Sequence, residues 1–199
     1  AFDTIAEGRD LRTMPKANIT KRALGAALKT LMQTHAFHKI SVGDICEQCG
    51  MHRKSFYYHF QDKYDLLNWI FYSEFMQLLD TDHQSDLWTY LRKICDYFAE
   101  NRQFYINAFA IEGQNAFSDT FNETLEAILS AYFRPEIRDD EVREFYCVFL
   151  SDALRCAIVR WLRDGKPASA EQFVSLCRRT VDSSTIRNTA SQSAGKGLE

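Results

Sequence analysis

The sequence predicts an all-α protein. Apolar residues recur at intervals of three and four through most of the chain, and no segment has the strict alternation that is typical of a β-strand. The longest pattern lies in residues 139–164, where the apolar residues from Val142 to Leu162 extend over about six helical turns. It ends at Gly165 and Pro167, two residues that interrupt helices. These observations favour several amphipathic helices packed around a common core.

Composition indicates an ordinary soluble protein. Of the 199 residues, 46 % are hydrophobic and 26 % are charged. No apolar run approaches the ~18 residues of a membrane span, and residues 1–10 lack the pattern of a signal peptide. Six cysteines lie within helical patterns and suggest no disulfide framework. We therefore expect a cytoplasmic protein with free thiols.

The first helices are marked by capping and turn signals. Thr20 is placed to cap the first helix. Ser41 and Asp44 have capping-box spacing at the start of the second. Gly50 is expected to end that helix, because a tight turn favours a residue that tolerates positive φ. Further helices are expected over residues 53–60, from 63 onward, and over 85–101, 103–112, 118–133, 139–164 and 169–182.

Charge divides the chain into two parts. Residues 14–63 contain eight Lys or Arg and three acids, which gives a net charge of +5. Residues 64–199 contain fourteen Lys or Arg and twenty-one acids, which gives −7. A basic module attached to an acidic body suggests that a polyanion binds at one end.

The segment 41–63 has the pattern of a helix-turn-helix. Two short helices are joined by a tight turn at Gly50, and the second carries cationic and hydroxyl-bearing side chains. This arrangement is typical of proteins that place a recognition helix in the DNA major groove. The predicted organisation is a leader or disordered arm at 1–13, a DNA-binding domain at 14–63, a helical effector-binding and dimerisation domain at 64–182, and a disordered tail at 183–199.

The same segment resembles the TetR/AcrR family of bacterial transcriptional regulators. The matching residues are Ser41, Asp44-Ile45-Cys46, Cys49-Gly50-Met51, Ser55-Phe56-Tyr57-Tyr58-His59-Phe60 and Lys63. Motifs in the second half are similar to a subgroup from Gram-positive bacteria that includes the dihydroxyacetone kinase activator. The resemblance implies a homodimer that binds a palindromic operator and responds to an effector in its C-terminal domain.

Residues of the recognition helix divide into two predicted roles. Arg53, Lys54 and Ser55 lie in its first turn and are expected to contact base edges. The residues expected to contact phosphates, several of them by the family resemblance, are Ser41, Tyr57, Tyr58, His59 and Lys63. For His59, a structural position against the first helix is the alternative.

Three residues depart from the family pattern. His52 stands where a serine usually caps the recognition helix, and Lys54 adds charge where a small residue is common. Gly43 lies in the second helix, where glycine costs about 0.5–1 kcal/mol relative to alanine.

Aromatic residues are abundant in the second half and predict an apolar effector pocket. The residues expected to line it are Trp88, Tyr105, Phe109, Tyr132, Tyr146 and Arg155. The alternative is a well-packed core, in which case a protein partner would replace the small-molecule effector.

Other chemistry is disfavoured. Cys46, Cys49, His35 and His38 have a spacing that suggests zinc, but they are better explained as small buried thiols and surface imidazoles. We find no phosphate-binding loop, nucleophile elbow or carboxylate pair of an enzyme. We therefore expect no catalytic residues, no metal and no cofactor.

Overall fold

The computed structural model describes residues 15–79, 86–113 and 116–194. Within these ranges the protein consists of nine α-helices, one short 3-10 helix at Phe37–Lys39, and no strand. The helices are α1 (Pro15–Leu31), α2 (Val42–Gln48), α3 (Arg53–His59), α4 (Lys63–Leu79), α5 (Leu87–Glu100), α6 (Arg102–Ala108), α7 (Phe117–Phe133), α8 (Asp140–Arg163) and α9 (Ala170–Ala194). The all-α prediction is confirmed. None of the described helices is both long and apolar enough to cross a membrane.

Helices α1, α2 and α3 pack against one another around a small core. The side chains at its centre are 0–3 % exposed and include Leu24, Leu28, Met32, Ile45, Phe56 and Phe60. Helix α4 follows and buries Leu66 and Leu67, while its neighbours in space include α1, α5 and α7. Helix α4 therefore connects the N-terminal unit to the rest of the protein.

Local signals in the sequence explain how α2 begins and ends. The Asp44 backbone N–H donates to the Ser41 hydroxyl at 3.2 Å, and the Ser41 N–H donates to the Asp44 carboxylate at 2.7 Å. This is the predicted capping box. Gly50 has φ of 66°, and the next N–H, of Met51, donates to the Cys46 carbonyl at 2.8 Å. The turn is a Schellman motif, which requires the left-handed conformation that glycine adopts without strain.

The second half is dominated by α8, which packs against α7, while α9 packs against α5. The inner face of α8 is buried, and it includes Leu150, Ser151, Leu154, Ile158 and Leu162. The predicted capping box at the start of α9 is present, because the Ser169 and Gln172 side chains each accept the other's backbone N–H at 3.2 Å.

Two predicted boundaries are wrong. The first helix begins at Pro15, five residues before Thr20, because proline is favoured in a first turn, where its missing N–H is not needed. The last helix, expected over residues 169–182, continues as α9 to Ala194, while the disordered tail at 183–199 stays a prediction. The polar composition of residues 183–194 contains no proline or glycine, and Gly195 is the first helix-interrupting residue after the capping box. The predicted arm at 1–13 and residues 195–199 lie outside the described residues.

A polar cluster joins the N-terminal unit to α4, α5 and α6. The Lys29 ammonium donates to Glu74 at 2.8 Å and to the Tyr97 hydroxyl at 2.7 Å. The Tyr105 hydroxyl donates to the other Glu74 oxygen at 3.1 Å. Burial is the main cause that raises the pKa of both tyrosines, with Glu74 contributing, so both stay protonated donors. Nearby, the Asn107 side chain donates to the Met32 carbonyl at the end of α1, at 2.7 Å.

Candidate DNA-binding interface

The recognition helix, α3, presents a polar face to solvent while Phe56 fixes it to the core. Phe56 is fully buried, whereas Arg53 and Lys54 are exposed and Ser55 is half-buried. Tyr57 and Tyr58 are 58 % and 82 % exposed, which is unusual for tyrosine and leaves both hydroxyl groups available. The residues predicted to contact bases therefore share the first turn of one solvent-facing helix.

Capping at the start of α3 is weak. His52 occupies the N-cap position in extended conformation, and its side chain makes no capping hydrogen bond. The first backbone N–H groups of α3 therefore lack the side-chain acceptor that Ser41 supplies to α2. This agrees with the sequence, in which His52 stands where the family usually has a serine that caps the recognition helix.

Phosphate-contacting positions predicted from the sequence are not equivalent in the structure. Ser41 is exposed, and its hydroxyl already accepts the Asp44 N–H. His59 is half-buried, and its pKa is lowered by burial and, to a lesser degree, by the nearby Lys21 of α1. A neutral imidazole is therefore favoured at His59, where it retains one N–H donor.

Lys63 is held by the protein itself. Its ammonium nitrogen lies 2.7 Å from the Ile40 carbonyl oxygen and 2.9 Å from that of Phe37, with the His38 carbonyl at 3.5 Å. It also lies 4.6 Å from the centre of the Phe37 ring. Desolvation lowers the pKa of Lys63, and the charges of Asp44 and Asp62 oppose this shift. An ammonium group has three N–H donors, and these carbonyl groups are positioned to accept them.

Residues 37–40 form the segment between α1 and α2, so Lys63 ties the start of α4 to the segment that sets the direction of α2. The sequence predicted a phosphate contact for Lys63 and did not predict this tie. The carbonyl groups that Lys63 contacts belong to the short 3-10 helix at Phe37–Lys39 and to Ile40, which follows it. They converge on Lys63 only in the tertiary structure, so the residue pattern contains no signal for this contact.

The residues considered for zinc do not form a site. Cys46 is 3 % exposed, burial raises its pKa, and the Cys49 thiol donates to the Ile45 carbonyl at 3.2 Å. His35 instead borders an open cleft of about 480 Å³ between α1 and α2. Across the described parts of the chain, no three His, Cys, Asp or Glu side chains converge in a way that could hold a metal ion.

Four of the aromatic residues predicted to line an effector pocket are packed against other aromatic rings of the core, Phe98 and Phe133. The rings of Phe98 and Tyr105 have centroids 4.0 Å apart, and Phe109 lies 5.9 Å from Phe98. Tyr132 and Tyr146 contact Phe133, at 4.9 and 5.1 Å. The remaining two residues are Trp88, which is 4 % exposed, and Arg155, which pairs with Asp152 at 3.2 Å. The structure therefore distributes the six residues over several places, and Tyr105, at 1 % exposure, belongs to a filled core.

An exposed recognition helix on a compact three-helix unit, followed by a larger helical domain, defines a helix-turn-helix regulator. A family profile described as "Bacterial regulatory proteins, tetR family" matches residues 18–70, and one described as "Transcriptional regulator C-terminal region" matches residues 86–183. The chain belongs to the TetR family of transcriptional regulators.

Named relatives support this membership. The chain is 32 % identical over 155 residues to the HTH-type dhaKLM operon transcriptional activator DhaS of Lactococcus lactis, covering 74 % of this chain and 81 % of the relative. A solved structure of the dihydroxyacetone kinase operon activator DhaS has 28 % identity and a TM-score of 0.66, covering 84 % of this chain and 96 % of its own. A TetR regulator from Streptococcus agalactiae shares the fold, with 23 % identity and a TM-score of 0.65, over 83 % of this chain and 95 % of its own.

Replacing Lys63 with methionine tests the tie to residues 37–40. The substitution keeps most of the apolar side-chain length but removes the charged donor from several partly buried carbonyl groups. We expect Lys63→Met to lower the free energy of unfolding by about 1–3 kcal/mol, measured by urea denaturation without DNA. Lys54→Met, at an exposed lysine of α3, is the matched control and should change the stability by less than about 0.5 kcal/mol. Unchanged stability of Lys63→Met with weakened DNA binding would instead favour the phosphate contact.

Proposed function

We propose that the protein regulates transcription in the cytoplasm by binding a palindromic DNA operator as a homodimer. The observation that carries this proposal is the solvent-facing α3, which concentrates cationic and hydroxyl groups on a module of net charge +5. Positive charge draws the module to the phosphate backbone, and base contacts then select the sequence. The family and the named activators that the chain resembles support this direction.

Each exposed group of α3 has a distinct part in the proposal. Arg53 and Lys54 are expected to contact base edges, Arg53 by a bidentate bond to guanine, with Ser55 beside them. Ser41, Tyr57, Tyr58 and His59 are expected to hold phosphates and so fix the register of the helix. We leave Lys63 out of the phosphate contacts, because its ammonium already donates to carbonyl groups within the protein.

Homodimer formation is proposed through the outer face of α8 together with α9. Phe145 and Phe149 are 73 % and 61 % exposed, and their rings lie parallel with centroids 6.5 Å apart. Val142 and Val148 on α8 and Leu176 on α9 are also more than 40 % exposed. An apolar surface of this extent is typical of an interface, and a two-fold arrangement of two helices from each protomer would cover it.

Control of DNA affinity is proposed to act through the C-terminal domain. A small-molecule effector is the first candidate, since it can shift affinity by binding two arrangements of the dimer unequally. The second candidate is a protein partner. The close packing of Phe98, Tyr105 and Phe109 favours it, because a filled core offers a ligand little room. Thermal-shift screening followed by DNA titration with each stabilising compound distinguishes the two.

Substitutions in α3 test the proposed division of roles. Arg53→Ala should weaken binding to the best duplex by roughly 1–3 kcal/mol and reduce discrimination against other sequences, since a base contact is lost. Tyr57→Phe should weaken binding to all duplexes to a similar extent, by about 1 kcal/mol, because it removes one phosphate donor. Fluorescence anisotropy with specific and scrambled duplexes measures both effects. The opposite pattern, with selectivity lost in Tyr57→Phe and kept in Arg53→Ala, would reverse the assignment.

A charge on the outer face of α8 tests the proposed dimer. Phe149→Glu should convert a dimer at micromolar concentration to a monomer. In a two-fold interface the substitution occurs in both protomers, so each loses about 2 kcal/mol from apolar burial and each adds one buried charge. Ile19→Glu, at a 66 % exposed apolar residue of α1, is the matched control and should stay dimeric. Sedimentation velocity gives the oligomeric state. A wild-type monomer, or a dimeric Phe149→Glu, would exclude this interface.

A further inference from the structure

Gly43 lies in the first turn of α2, directly beneath the guanidinium group of Arg53. A Cβ atom built on Gly43 would lie 2.4 Å from Nη2 of Arg53, 3.2 Å from its Cζ and 3.3 Å from its Nε. Cβ atoms in proteins essentially never approach a non-bonded heavy atom of another residue within 3.0 Å. The guanidinium therefore occupies the space that any other side chain at position 43 would need.

This contact joins the two helices of the helix-turn-helix at its DNA-facing side. Arg53 is the first residue of α3, and Gly43 is the second residue of α2. The Arg53 charge also reaches Asp44, since it contributes, after the hydrogen bonds from Ser41, to the lowered pKa of that carboxyl group. The Asp44 carboxylate is itself committed to the Ser41 N–H at 2.7 Å. The guanidinium thus lies over the bare backbone of Gly43 and within electrostatic range of Asp44.

We propose that Gly43 is a specificity-determining position of the DNA interface. Because it has no side chain, it leaves the space in which the Arg53 guanidinium is held before it contacts a base. This inference rests on the proposed function and extends it to a residue that makes no base contact itself. A free arginine samples many rotamers, and ordering such a side chain on binding reduces affinity. A guanidinium that is positioned before binding has already lost part of this conformational freedom. Its planar group can then form bidentate hydrogen bonds to guanine with a smaller loss of conformational entropy.

The space that the Arg53 guanidinium occupies also explains why position 43 is glycine, which the helix pattern alone does not explain. Glycine weakens a helix, and φ at Gly43 does not lie in the left-handed region that would require it. The nearest atoms belong to the far end of a flexible side chain and not to backbone. A methyl group at position 43 would therefore displace the guanidinium of Arg53 and leave α2 and α3 in place.

A double-mutant cycle tests the inference. The four proteins are the wild type, Gly43→Ala, Arg53→Ala and the double variant. The probe is the duplex that the wild type selects most strongly from a randomised pool, with a scrambled duplex of equal length beside it. Gly43→Ala should weaken binding to the selected duplex about threefold to tenfold, with little change on the scrambled duplex. In the Arg53→Ala background, Gly43→Ala should not weaken DNA binding further, because no guanidinium remains for the added methyl group to displace.

Controls separate this effect from folding. The melting temperature of Gly43→Ala should equal or exceed that of the wild type, since alanine favours the helix. Gly165→Ala, in the loop between α8 and α9, is the matched substitution, because nothing lies within 4 Å of a Cβ atom built there, and it should leave DNA affinity unchanged.

Four results would overturn the inference. They are unchanged affinity in Gly43→Ala, tighter binding, a lower melting temperature, and an equal loss in the Arg53→Ala background, which would mean that the methyl group itself obstructs DNA. If the wild type selects no sequence from the pool, the proposed function fails and the inference fails with it. Selection by the wild type with no effect of Gly43→Ala rejects the inference alone.

Discussion

Helix α4 sets the position of the N-terminal unit that carries the recognition helix. Hydrogen bonds join α4 to this unit near the start of α4 and again further along the helix. Near its start, the Lys63 ammonium donates to carbonyl groups of the segment 37–40. Further along, Glu74 accepts hydrogen bonds from Lys29 of α1 and Tyr105 of α6. Burying a polar group is unfavourable unless it is hydrogen-bonded, so each of these two sets of hydrogen bonds resists separation of the elements that it joins. Helix α3 packs against α1 and α2, so these two points link it to the second domain through those helices.

The same arrangement gives a route between the two halves of the protein. Glu74 connects α1 to α6, the Tyr97 hydroxyl brings in α5 through Lys29, and Asn107 of α6 holds the Met32 carbonyl at the end of α1. Movement of α5 or α6 would break or redirect these bonds. A regulatory ligand or partner changes DNA affinity only if it binds two such arrangements unequally. Within the described residues, the polar cluster links α5 and α6 to α1 through Lys29 and Glu74.

Local sequence signals predicted much of the fold and less of the site. The capping box at Ser41, the turn at Gly50 and the long helix α8 each depend on residues close in sequence, and each is present. Lys29 and Glu74 are 45 residues apart, so their pairing leaves no local pattern. The polar composition after residue 182 favoured an end of the last helix there, but composition says little about where a helix ends when no proline or glycine interrupts it before residue 195.

The central claim is that two copies of the basic module read one symmetric duplex, and selection of binding sites by the wild-type protein tests it most directly. A randomised duplex pool, with the stoichiometry of the selected complex measured at several salt concentrations, provides the data. The account predicts an inverted repeat with half-site centres about 10 base pairs or a multiple apart, two protomers on each duplex, and affinity falling on the order of 10²-fold between 50 and 200 mM salt. A single unrepeated site bound by one protomer, or affinity that ignores both sequence and salt, would contradict it.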